Sequence, residues 1–148
     1  MTFIDRRAAR VLLIDAAERT LLLRGGDPAR PEQRWWFTPG GGLDSGETPA
    51  QGAARELLEE TGLRADPAEL GDPVHHETAE FSYDNRQYRQ TQDFFVFRVE
   101  RWDVDTAGFD DEERRTITEH RWWSTDEMDV STEQIYPLEI ADLLRRVL

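Results

Sequence analysis

The stretch GGGLDSGETPAQGAARELLEETGL, from Gly40 to Leu63, decides how the chain is read. Thr48 suits a helix N-cap, Pro49 the first turn and Gln51 the capping-box position, while Gly62 suits a left-handed C-terminal stop. These signals predict a helix over Pro49 to Thr61. On a helical wheel Ala50, Ala53, Ala54 and Leu57 form one stripe, and Glu56, Glu59 and Glu60 the stripe beside it. Small alanines let such a helix pack close to a sheet, which puts the acidic stripe at the edge of the packing. Glutamates at i, i+3 and i+4 repel by a few tenths of a kcal/mol per pair on an exposed helix. Two readings compete: a solvated face relieved by Arg55 and Arg64, or a divalent cation drawing the carboxylates together, since Mg²⁺ and Mn²⁺ prefer oxygen ligands.

Working outward, 148 residues with 38% hydrophobic and 10% aromatic content predict one globular domain, residues 1–148, with a single substantial core. Eighteen basic residues against 31 acidic give a net charge of −13, which opposes binding to a nucleic acid polymer or an anionic membrane. The absence of cysteine removes disulfides, thiol catalysis and cysteine-ligated metal. No run of about 18 apolar residues and no charged-then-apolar leader is present, so a cytoplasmic location is expected.

Two apolar runs, Val11 to Ile14 and Leu21 to Leu23, read as paired strands across a polar turn. The segment GGDPARPEQR from Gly25 reads as a loop by its Gly and Pro content. A long hairpin is expected to turn at Asp84 and Asn85 and to return with Phe94, Val96 and Phe97. TITEHRWWS is another strand candidate, and Pro137 with Leu138, Ile140, Leu143, Leu144 and Val147 marks a final helix. Mixed strands and helices place the chain in the α+β or mixed α/β class.

With these elements in place, the sequence resembles the Nudix hydrolase family, whose box is G-x5-E-x7-R-E-U-x-E-E-x-G-U with U aliphatic. Gly41, Glu47, Arg55, Glu56, Leu57, Glu59, Glu60, Gly62 and Leu63 match every specified position. The resemblance implies an α/β/α sandwich with a mixed β-sheet between helices. It also implies that Glu56, Glu59 and Glu60 hold Mg²⁺ or Mn²⁺, with Gly41 bringing backbone close to the ion. Glu47 and Arg55 are implied to pair and brace the glycine loop, with Gly62 ending the helix. The implied reaction is attack of water on a phosphorus of a nucleoside diphosphate linked to another group. Bound metal supplies the counter-charge, and Glu56 or Glu59 or a later glutamate takes the proton.

Outside the box, Glu119 is the first candidate for a further ligand or base, and Glu112 and Glu113 are the second choice. Arg24, Arg30 and Arg34 are candidates for gripping a distal phosphate; Gly42 and one ring among Trp35, Trp36 and Phe37, with Trp36 foremost, are candidates for contacting substrate. His75, His76 and His120 receive no chemistry. Thr78 and Tyr83 do not match the residues that accompany ADP-ribose or dinucleoside polyphosphate relatives, and the small chain leans the substrate towards nucleoside triphosphates. The alternatives are an ADP-ribose or nucleotide-sugar pyrophosphatase, or a silent nucleotide sensor of the same fold. Five tryptophans leave room for a homodimer interface.

Overall fold

The computed structural model describes residues 2–148. Strand β1, Ile4–Ile14, organises it: Ala9, Val11 and Leu13 join one buried cluster, Leu12 and Ile14 another. A strand that is apolar on both faces needs cover on both. On one face lies α1, Pro49–Thr61, which sets Ala53, Ala54 and Leu57 against Val11, Leu13 and Phe95. On the other lie α3, Thr125–Val130, and α4, Ile140–Val147, which bring Met128, Ile140, Leu143 and Leu144 against Leu12, Leu22, Phe94 and Trp123. The expected sandwich, helices on either side of a mixed sheet, is what forms.

The other strands are β2, Thr20–Asp27; β3, Arg30–Phe37; β4, Gly40–Gly42; β5, His75–Tyr83; β6, Arg86–Arg98; and β7, Glu119–Trp123. Their order is β3-β2-β1-β6-β5, with β4 also on β1 and β7 also on β2. Among the described residues the one parallel pairing between two named strands runs the length of β1, from Ile4 opposite Tyr88 to Ile14 opposite Arg98. The β5–β6 hairpin turns where expected, at Asp84 and Asn85, with φ of 50° and 63°. Both central residues at positive φ match the right-handed twist of the flanking strands. Among the described residues no helix is long and apolar enough to cross a membrane.

One expectation about elements is narrowed and two are corrected. The runs Val11–Ile14 and Leu21–Leu23 are strands, but β1 and β2 pair only at Ile14 opposite Thr20. Beyond that point β4 takes the edge of β1, and β7 that of β2. The loop expected from Gly25 is a hairpin, since β2 continues to Asp27 and β3 begins at Arg30. Pro31 is tolerated there because β3 is an edge strand, and a bulge between Gly26 and Asp27 absorbs the irregularity. The final helix starts at Ile140, leaving Leu138 75% exposed. Trp36 binds the preceding segment through Trp36 N to Gln134 O and Tyr136 N to Trp36 O, both 2.9 Å, which keeps that segment extended along β3.

Candidate active site

Helix α1 is fixed at both ends by its own sequence. Thr48 Oγ1 accepts from Gln51 N at 3.2 Å, Gln51 Oε1 accepts from Thr48 N at 2.9 Å, and Gly62 ends the helix at φ 76°. Burial of Ala53 and Leu57 then sets its rotation about the axis, and this carries Glu56 and Glu60 to the side facing β4. Glu60 is only 2% exposed, and its Oε1 accepts from the Gly40 N–H at 2.7 Å. A Cβ on Gly41 would stand 2.8 Å from Glu56 Oε1, so this carboxylate occupies space that any other residue at 41 would fill.

A third carboxylate comes from α2, Asp111–Thr116. Asp110 and Glu113 cap that helix reciprocally, Glu113 N donating to Asp110 Oδ1 at 2.8 Å and Asp110 N to Glu113 Oε1 at 3.0 Å. Among the described residues, Glu56, Glu60 and Glu113 offer oxygens that all lie within 4.8 Å of one another. Ligand oxygens on opposite sides of a Mg²⁺- or Ca²⁺-sized ion lie about 4 to 5 Å apart, so the spacing fits a hard divalent cation.

The electrostatics point the same way. Burial pushes the Glu60 carboxyl well above the usual range, and the neighbouring charge of Glu56 adds to this. Burial also pushes Glu56 up to about 7, against the pull of Arg55. Glu113 is raised chiefly by burial as well. The buried Arg10 guanidinium is near, but it donates to Gln92 Oε1 at 3.3 Å and Thr38 O at 3.1 Å, and burial lowers its own pKa. Among the described residues Arg55 reaches Glu56 alone of the three, so the cluster is short of positive charge and its oxygen donors fit a hard divalent cation.

Arg55 ties the glycine segment to the helix, the pairing that the resemblance implied. Its Nε donates to Glu47 Oε2 at 2.7 Å, and its Nη2 to Glu47 Oε1 and to Gly42 O, both at 3.0 Å. Glu47 is held below the usual carboxylate range mainly by this bond, and Arg55 is raised by the same contact. Nη1 of Arg55 also reaches Glu56 Oε1 at 3.1 Å and Glu59 Oε2 at 3.3 Å.

Other candidates stand elsewhere. Glu59 is outside the three-carboxylate cluster, its side chain 40% exposed and held by Arg55, because the turn that buries Glu60 rotates Glu59 outward. Glu119 is not at the cluster either; β7 sets it directly opposite Arg24, and the two pair at 2.9 Å. Arg24 is further engaged by Glu133 at 3.5 Å, so the arginine expected to grip phosphate is occupied by two carboxylates. Arg34 donates to Thr116 O at 2.9 Å. Trp36 is 4% exposed and packs edge-on against Trp123, with centroids 5.2 Å apart, so its ring is core; Trp35 and Phe37 are the partly exposed ones. Gly42 lies against the Arg6 guanidinium, whose Nε would be 2.7 Å from a Cβ there. Glu113, the second choice from sequence, lies in the cluster, where Glu119 does not. Asp110-x-x-Glu113 is a capping box legible in the sequence, but it marks a helix start and does not say where that helix docks.

Residues 5–144 match the family model described as the NUDIX domain. The chain is 39% identical over 69 residues to an RNA pyrophosphohydrolase of Mesorhizobium japonicum, covering 43% of this chain and 40% of that protein. It is 38% identical over 63 residues to an uncharacterized Nudix hydrolase, YvcI, of Bacillus subtilis, covering 43% of this chain and 35% of that protein. The match thus spans less than half the length of these curated relatives. Its structure is similar to the MutT protein from Methanosarcina mazei Go1, with TM-score 0.74 and 22% identity over 99% of this chain and 94% of that one. It is also similar to a MutT NUDIX hydrolase from Burkholderia pseudomallei, with TM-score 0.70 and 16% identity over 98% and 99%. With the box complete and the family model running through nearly all of the sequence, the chain belongs to the Nudix family.

Proposed function

We propose that this chain is a pyrophosphohydrolase that uses Mg²⁺ or Mn²⁺ to cleave a nucleoside diphosphate linked to another group, nucleoside triphosphates being the first candidates. The observation that carries this reading is the convergence of Glu56, Glu60 and Glu113 beneath Gly40 and Gly41. A divalent cation held by these three would neutralise phosphoryl oxygens and lower the pKa of a nearby water. The glycine strand lets a phosphate chain approach where side chains would block it. Arg55 spans Glu47, Glu56 and Glu59, which keeps the carboxylates oriented. Glu59, at the solvent side of this cluster, accepts the proton of the attacking water. Arg6, exposed beside Gly42, is better placed than Arg24 to meet the phosphates.

The test is a panel of nucleoside triphosphates, ADP-ribose, nucleotide sugars and 5′-triphosphorylated RNA, each with and without Mg²⁺ or Mn²⁺, scored for release of phosphate, pyrophosphate or nucleotide. Metal-dependent turnover of any member supports the reading; silence across the panel favours a nucleotide sensor. RNA is included because curated relatives are named RNA pyrophosphohydrolases. A net charge of −13 weighs against a long polymer and for a small nucleotide. The reading takes residues 1–148 as one catalytic domain working in the cytoplasm, with light scattering to decide between monomer and homodimer.

A further inference from the structure

On the sheet face that carries Leu12 and Phe94, the next positions outward are polar: Arg10 on β1, Gln92 and Gln90 on β6, and Glu77 on β5. Gln90 is 2% exposed and Gln92 8%. Their amide orientations follow from the ends of the chain of bonds. Ionised Glu77 can only accept and Arg10 can only donate. Gln92 Nε2 therefore donates to Glu77 Oε2 at 2.9 Å, and Gln92 Oε1 accepts from Arg10 Nε at 3.3 Å. Gln90 Nε2 donates to the same Gln92 Oε1 at 2.9 Å. What remains is Gln90 Oε1, a buried acceptor without a partner among the described residues. Buried polar groups are nearly always paired, and leaving one unpaired is costly, so this oxygen calls for a donor.

Gln90 lies on the sheet face opposite α1, yet only two strands from β4. Gly42 pairs with Ala8, and Ala8 with Gln92, so β6 runs two strand spacings, about 10 Å, from the glycine strand. Gln90 itself is flanked by Arg6 on β1 and by Ala79 on β5. Ala79 is small and half-buried, and Arg6 extends from Gly42 towards the Tyr88 ring, 5.9 Å from its centroid. A flat ring reaching Gln90 would pass the small side chain of Ala79, which leaves Arg6 to the phosphates.

Resting on the pyrophosphohydrolase reading, we propose that Gln90 Oε1 accepts a hydrogen bond from the N–H edge of the substrate's nucleobase. Gln90 is then the residue that selects bases able to donate there. The test is equilibrium binding, by calorimetry in Mg²⁺, of α,β-methylene-bridged triphosphates of adenosine, guanosine and purine riboside, with inorganic tripolyphosphate as the base-free control. One of the two amino-bearing nucleotides should bind about tenfold or more tightly than the purine riboside. Gln90→Met should abolish the difference and leave tripolyphosphate binding unchanged. That variant should fold, since Gln92 Oε1 keeps Arg10 as donor. Ala79→Leu, which covers Gln90 without breaking its bonds, should act in the same direction. Equal binding of all three nucleotides by the wild type, or discrimination that survives Gln90→Met, overturns the proposal. If none of the analogues binds while the panel shows turnover of another class, this inference falls alone; if the panel is also silent, both fall.

Discussion

Glu60 is where the cost of the site is concentrated. Glu60 is 2% exposed and lies beside Glu56, so burial disfavours its charged form until a cation arrives, although the Gly40 N–H donates to it. Glu60→Gln keeps an acceptor for Gly40 and removes the charge. Without metal at pH 8 it should be more stable than wild type, by roughly 1 to 3 kcal/mol in urea titration. Its affinity for Mn²⁺ should fall more than tenfold by calorimetry, and kcat by at least as much. Glu59→Gln separates proton acceptance from ligation: kcat should drop more than tenfold while Mn²⁺ affinity changes little. An unchanged kcat in that variant would remove Glu59 from the mechanism. At Arg55, replacement by Lys loses the two-pronged hold on Glu47 that a point charge cannot reproduce. With these side chains 25% and 14% exposed, a loss of about 1 kcal/mol is expected, together with a lower kcat.

At the scale of elements, the short strand β4 matters most, because three successive glycines each meet a different charged side chain. Gly40 donates to Glu60, Gly41 lies against Glu56, and Gly42 against Arg6. Gly41→Ala should fold, since the atom it meets is the end of a flexible side chain, but it should displace Glu56 and cost more than tenfold in kcat. Gly46→Ala is the control: it has φ of 78° with nothing nearby, so it should cost about 1 kcal/mol of stability and leave kcat alone. Equal activity losses in the two would mean that disturbance of the glycine segment as a whole, not crowding of Glu56, explains the first. The boundaries of α1 were legible in the sequence because a cap, a first-turn proline and a terminal glycine act within a few residues of one another. The β2–β3 hairpin was not, because Gly and Pro at a sheet edge carry the same local signal as a loop, and only the neighbouring strand distinguishes the two.

For the molecule as a whole, the raised carboxyls fix how stability depends on pH. A group with a folded-state pKa above its unfolded value binds protons preferentially in the folded state. Its contribution is present at low pH and lost as pH rises through the folded value. Without metal, Glu56 should therefore lower stability between about pH 4.3 and about 7, with Glu60 and Glu113 acting in the same direction. Mn²⁺ binding should release protons and tighten with pH over that window, and thermal melts with and without metal at pH 5 and pH 8 would show it. A metal-induced rise in Tm as large at pH 5 as at pH 8 would contradict this. The amino-acid sequence by itself determined the family, the glutamate helix with its caps, and the Arg55–Glu47 brace, because all of these are set by contacts within a short span of chain. Only the tertiary structure decided that Glu113 and not Glu119 meets Glu56 and Glu60, that Arg24 is spent on Glu119 and Glu133, and that Trp36 is core. Each of those outcomes depends on which distant strand or helix lies alongside, and strand pairing and helix docking are fixed by the packing of the whole sheet.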